Sequence, residues 1–447
     1  MDLPPAASLT EERPAASSRI LAGGLPAALA LLLVVALTYL RDPRYFLQPR
    51  FWAEEGSLHF AFSYSHGWLQ ALFQPQLGYL NFWPNLATLL ATLPPLEYAP
   101  LVTTLLALLV QLLPIALILW SPSPLWQGWV RKALGAAVVL LVPITTEVWL
   151  NSVNSYTYFA VIAFLLLIEE APARRERSWI YRLLLAASGL TGTLACFLTP
   201  LFLYRAWEEK KPERWRQALI LVACCAVQAA LIFSYRGSAS VSQRFTPAGL
   251  TTLGGAVWAQ SIGLLAAGLD RAHEFGRGQM DLMKTNPAAF KMWGRGLLAA
   301  ALVVLAVVSA NIPLRKRLLF LASYALLIFL PLSFSVITEK YTFLNTGVHS
   351  RLFLAPNILL GWMLVANLRP PAVAGWRLWA GRLSGLLAGA LLAAALVWGA
   401  QSFRQTWIPA TAWPDWKQEV QAWRANPGHA LKIQPADQGW VVKLTPR

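Results

Sequence analysis

Long apolar runs separated by short polar or basic clusters organise this chain. Ile20 to Leu40 carries no charge, and Ala99 to Trp120 offers only Gln111 as a strongly polar group. Crossing a ~30 Å hydrocarbon core takes roughly 20 apolar helical residues, and both runs meet that length. Further apolar runs lie near 133–150, 155–168, 183–206, 217–234, 296–312, 318–337, 352–368 and 383–400. Several are shorter than a full crossing, which a membrane tolerates only where the helix borders a protein-lined cavity. The pattern predicts an all-α, polytopic transmembrane helix bundle over 20–400.

Basic clusters lie between the runs: Arg131-Lys132, Arg174 to Arg182, Arg205 to Arg216, Arg315 to Arg317, and Arg369 to Arg382. The positive-inside bias would put them all on the cytoplasmic side. They reach one side together if 79–94 is an interfacial helix and 183–206 is two half-helices broken at Gly192. The uncharged stretch 247–269 is then interfacial or re-entrant. This arrangement gives about eleven membrane-entering helices, with the N-terminus inside and the C-terminus outside. Two segments face outward: a long first loop over 41–100, and a small C-terminal segment over 401–447. The latter carries Trp413, Trp416, Trp423 and Trp440, with a helix expected over 414–425 and a strand near 430–434. It is equally readable as a cap or as an aromatic interface anchor.

Composition agrees. The chain is 57% hydrophobic and 13% charged, against about 25% charged in a soluble domain. The net charge of +16 comes in clusters between apolar spans, so membrane lipids, not nucleic acid, are the expected partners. Cys196, Cys224 and Cys225 all sit in apolar segments, which argues against a disulfide framework or a metal site. Residues 1–19, rich in Pro, Ala and Ser, read as a disordered cytoplasmic tail. Ile20 to Leu40 is longer than a signal-peptide core, and no A-x-A site precedes Arg41, so it reads as an uncleaved first span.

Three polar islands could carry chemistry. The first loop reads Arg50-Phe51-Trp52-Ala53-Glu54-Glu55-Gly56 and, further on, Gly78-Tyr79-Leu80-Asn81-Phe82-Trp83-Pro84. Apolar neighbours raise a carboxyl pKa toward the range useful for acid–base work. Glu54 and Glu55 are also placed to cap a following helix. The second island, Glu147, Asn151, Asn154 and Tyr158, has spacings of four, three and four, which form one stripe on a continuous helix. Such a stripe either lines a cavity or bonds two helices together. The third holds Glu339, Lys340 and Tyr341, then His349, Ser350 and Arg351. A planar guanidinium and a lysine point charge suit phosphate oxygens, although Arg351 could equally snorkel to the headgroups. The chain has no P-loop, dinucleotide fingerprint, H-E-x-x-H or nucleophile elbow.

In this order the motifs resemble the bacterial members of the GT-C class of membrane glycosyltransferases, over roughly residues 20–440. The resemblance implies a GT-C-type bundle in the bacterial inner membrane, using a polyprenyl-phosphate-linked sugar and a glycan, lipid or protein acceptor. It makes a first-loop acid the catalytic base, Glu54 or Glu55. Such relatives often have Glu-Asp-Gly where this chain has Glu54-Glu55-Gly56, which leaves open which acid is the base. It assigns Arg351, with His349 and Lys340, to the lipid phosphate. Glu147, Asn151, Asn154, Tyr158 and Tyr79 would line the same cavity. Glu54, Glu55 and Glu147 could ligate Mg²⁺ or Mn²⁺, but no spacing requires a metal. A transporter or flippase of lipid-linked saccharides is the alternative.

Overall fold

The computed structural model describes residues 16–445, except 77, 144–146, 173, 236, 238–246, 336, 338, 347–348, 370–374 and 405–412. The expected N-terminal tail lies mostly outside the described residues, and helix α1 (Ala16–Arg41) already includes its last four. Among the described residues, seven helical stretches are long and apolar enough to cross a membrane. They comprise α1, α3 (Ala99–Leu119, with the turn from Leu96), α8 (Pro212–Ser234), the broken stretch Leu250–Thr285, α11 (Pro287–Val307), α12 (Leu314–Phe334) and α14 (Trp376–Gln401). The protein is therefore a multi-pass, all-α membrane protein. α2 (Phe82–Leu90), with nine residues, is far too short to span.

Two apolar helices too short for a full crossing are the most buried. α5 (Ser155–Ile168) and α13 (Arg351–Asn367) have 14 and 17 residues, or about 21 and 26 Å at ~1.5 Å per residue. Neither would match a lipid core alone, and both are buried in the bundle: α13 packs against α12 and α4 (Trp129–Leu141), and α5 against α3 and α13. Because lipid tails are as apolar as leucine, close packing and hydrogen bonds hold such helices together. Phe164 stacks on Trp362 and meets Phe320 edge-on at 4.9 Å. The Trp362 indole donates to the Gly135 carbonyl at 2.9 Å. At Gly361 an added Cβ would lie 2.5 Å from Val138.

The basic clusters converge on one end. Glu209, at the end of α7 (Thr199–Glu209), pairs with Arg205 at 2.6 Å, Arg214 at 3.1 Å and Arg315. Lys316 pairs with Glu170 at 3.0 Å, and Arg182 pairs with Glu213. The Lys132 ammonium donates to the Leu119 carbonyl, and the Arg369 guanidinium to the Pro124 carbonyl. Among the described residues, all five sequence clusters take part in this end of the bundle.

Two breaks shape the opposite end. α6 (Arg175–Leu190) stops before Gly192, whose φ of +74° favours glycine, and the chain resumes as α7. The second is inside Leu250–Thr285. There α9 (Leu250–Val257) and a π-turn reach Tyr324, mid-way along α12, through Ser261, and α10 (Gly263–Thr285) then bends at Gly268. Gly268 has φ +81° and ψ 178°, a region open essentially to glycine alone.

The first loop forms a hairpin, β1 (Pro75–Gln76) with β2 (Tyr79–Leu80), and the C-terminal segment forms α15 (Trp416–Ala425) and a second hairpin, β3 (Leu431–Lys432) with β4 (Val441–Val442). It docks on the first loop rather than standing apart. Phe51 and Phe60 share one apolar cluster with Trp416, Trp423, Ile433 and Val442.

Candidate functional site

The first loop is held by backbone from the far end of the chain. The Ala53 amide donates to the Gln434 carbonyl at 2.5 Å, and the Gln434 amide to the Phe51 carbonyl at 3.1 Å. Ala53 itself has φ +42°, uncommon for a residue with a Cβ. Gly56 leaves no room either, since a Cβ there would lie 2.8 Å from both Ile433 and Phe51. This clamped turn sends the two glutamates in different directions.

Glu55 points into the protein and is 1% exposed. Its Oε1 accepts from the Ser152 amide and hydroxyl, both at 2.6 Å, and its Oε2 from the Trp52 amide at 3.1 Å. Burial pushes its carboxyl above the ordinary range, while these donors and Arg50 oppose the rise. Glu55 therefore ties the first loop to the 147–154 segment. Glu54 instead opens on a cavity of about 160 Å³.

That cavity gathers Glu54, Tyr79, Asn154 and Arg351 from the sequence-predicted residues. It adds His59, Gln76, Asn81 and Tyr156 on its polar side. Leu194, Phe197, Pro331, Phe334, Ile337 and Leu352 form an apolar wall. Phe334 is 41% exposed, so the wall reaches the surface of the bundle. Tyr79 is presented by the hairpin. Its neighbour Leu80 is clamped by Gln228, whose amide exchanges bonds of 2.9 and 3.0 Å with the Leu80 backbone and also donates to Gly189 and Gly192.

Arg351 begins α13, and its guanidinium meets Glu147 at 2.6 Å. Asn151 and Asn154 serve the same segment: each side-chain amide donates to the Glu147 carbonyl at 2.8 Å. His349 has φ +59° and packs edge-on against Phe343. Burial, followed by Arg351, lowers its imidazole to about 4. Lys340 donates to the backbone and hydroxyl of Ser335, a cavity residue, and burial lowers its ammonium. Neither His349 nor Lys340 lines the cavity.

The expected stripe from Glu147 to Tyr158 does not form. α4 ends at Leu141 and α5 begins at Ser155, so Glu147, Asn151 and Asn154 occupy turns between helices. Tyr158 instead faces a separate pocket with Thr38, Gln111 and Trp149. Tyr156, in the first turn of α5, takes the cavity position. Had the helix been assumed to start after Asn154, a good N-cap residue, Tyr156 would have been the natural choice.

Among the described residues no three His, Cys, Asp or Glu side chains converge as a metal site. With Glu55 bound to Ser152 and Glu147 to Arg351, the three glutamates do not fit a Mg²⁺ or Mn²⁺ cage. The fold defines the class, a polytopic α-helical membrane protein with a polar cavity at one end. Comparison with family models, with curated proteins and with solved structures returns no match.

Proposed function

We propose that the protein is a membrane glycosyltransferase of the GT-C type that moves a sugar from a polyprenyl-phosphate donor to an acceptor hydroxyl. One observation carries this reading: a carboxylate and a guanidinium, Glu54 and Arg351, open on one cavity whose other wall is apolar and reaches the bundle surface. The apolar wall suits an isoprenoid chain, and Arg351 suits the phosphate. Glu54 takes the proton from the acceptor hydroxyl as its oxygen attacks the anomeric carbon. The bond from that carbon to the phosphate oxygen breaks, and the departing phosphate keeps the electron pair. Arg351 stabilises the charge that grows there, while Glu147 fixes the direction of its guanidinium. The bundle holds a lipid-borne donor and an outer-face acceptor in one geometry.

In this reading the basic end faces the cytoplasm of a bacterial inner membrane and the cavity faces outward. About eleven helices enter the membrane, with 183–206 counted as two half-helices and 247–269 left out as interfacial or re-entrant. A flippase for lipid-linked saccharides would use the same wall and arginine, but it has no use for a base presented on a strained, clamped turn. The test is transfer from labelled polyprenyl-phosphate sugars by purified protein. Transfer that depends on the Glu54 carboxylate supports the reading, and full transfer without it rejects the reading.

A further inference from the structure

His59 lines the same cavity as Glu54, although nothing in the sequence marks it. The two are five residues apart, a separation that turns side chains away from each other on an α-helix. Glu55–Phe60 is instead a π-turn with Glu54 at its N-terminal boundary. Its i→i+5 bonding brings residue 59 roughly beneath residue 54. The wider winding thus opens both side chains on one space.

The hydrogen bonds also fix which ring nitrogen carries the proton. The Asn85 side-chain nitrogen donates to the carbonyls of Leu72 at 3.1 Å and Gln74 at 2.8 Å. Carbonyls only accept, so the amide cannot be flipped and Asn85 Oδ1 must face His59. That oxygen lies 2.7 Å from His59 Nδ1, so Nδ1 carries the hydrogen. The ring is 2% exposed, and burial lowers it to about 4, against a rise from Asn85, so it is neutral near pH 7. A neutral ring protonated at Nδ1 has its lone pair on Nε2. No described protein group hydrogen-bonds to that nitrogen.

We infer that His59 Nε2 is a fixed hydrogen-bond acceptor for a saccharide hydroxyl bound beside Glu54. The inference rests on the glycosyl-transfer reading and adds a determinant of what that cavity accepts. A hydroxyl can donate to Nε2, whereas an ether, carbonyl or phosphate oxygen cannot. The substrate class is therefore one that places a free hydroxyl next to the reacting centre. A deoxy analogue at that position leaves Nε2 unpaired, the situation that discriminates most strongly between substrates.

Asparagine and glutamine separate the two ring nitrogens. His59→Asn sets an amide N–H where Nδ1–H stood, keeping the Asn85 bond while deleting Nε2. His59→Gln reaches the Nε2 position with a carbonyl oxygen. ¹⁵N-histidine spectra of the full chain in nanodiscs, assigned by loss of one signal in His59→Asn, should show a neutral, Nδ1-protonated His59 at pH 7. Transfer by His59→Asn should fall about tenfold or more, with its melting temperature held, and His59→Gln should recover part of it. An imidazolium or an Nε2-protonated ring, or transfer by His59→Asn within twofold of the wild type, overturns the inference. Failure of the underlying reading registers separately, as transfer that survives Glu54→Gln.

Discussion

Glu147 and Arg351, 204 positions apart, meet at 2.6 Å at the edge of the cavity. The contact joins the turn before α5 to the first residue of α13, and it leaves Glu54 as the cavity carboxylate without a direct ion-pair partner among the described residues. The start of buried α13 thus carries the cation, while the clamped outer loop carries the base.

Glu147→Gln should leave the guanidinium in place but poorly aimed. A charge-assisted bond contributes about 1.5–3 kcal/mol, so donor-dependent transfer should drop roughly ten- to a hundredfold. Arg351→Lys should fare no better, because an ammonium lacks the planar fork. Steady-state transfer rates of both variants check this.

Glu55→Gln should act on stability. Its amide would set an N–H against either the Ser152 donors or the Trp52 amide, at a cost of about 1–3 kcal/mol. A lower thermal midpoint in detergent, at wild-type donor affinity, is the expected result.

The same carboxyl also shapes pH dependence. Its folded pKa is raised, so the native state holds its proton at pH values where the unfolded chain has lost it. Its contribution is complete below the ordinary carboxylate range and is lost as pH rises through the raised value. Denaturation midpoints of the wild type should fall across that window. Glu55→Gln should remove that part of the slope.

Gln228→Leu removes the partner of both Leu80 backbone groups and of the Gly189 and Gly192 carbonyls. Unsatisfied buried groups cost about 1–3 kcal/mol, so the hairpin bearing Tyr79 should loosen. Faster hydrogen exchange at Leu80 would register it.

Much of the frame was legible because membranes impose simple rules. Apolar length marked the spans, charge marked one end, and Gly192 marked a break that the chain does make. The local chemistry was harder to read. Glu54 and Glu55 are adjacent and look alike in sequence, yet Ser152, 97 positions away, takes one and leaves the other. The spacing from Glu147 points to Tyr158 only along a continuous helix, and because the chain turns before Ser155 it is Tyr156 that reaches the cavity. His59 was hidden because its position depends on a π-turn that periodicity does not reveal. The C-terminal hairpin packs Ile433 and Val442 on Phe51, but the bonds by which it clamps Ala53 run backbone to backbone, which no side-chain pattern encodes.

The most direct measurement compares Glu54→Gln with Glu55→Gln in transfer from radiolabelled polyprenyl-phosphate sugars, with donor binding measured alongside. The account predicts that Glu54→Gln binds donor but loses about 10²- to 10⁴-fold in transfer, while folded Glu55→Gln keeps most of its activity. Full transfer by Glu54→Gln, or loss confined to a stable Glu55→Gln, would contradict it.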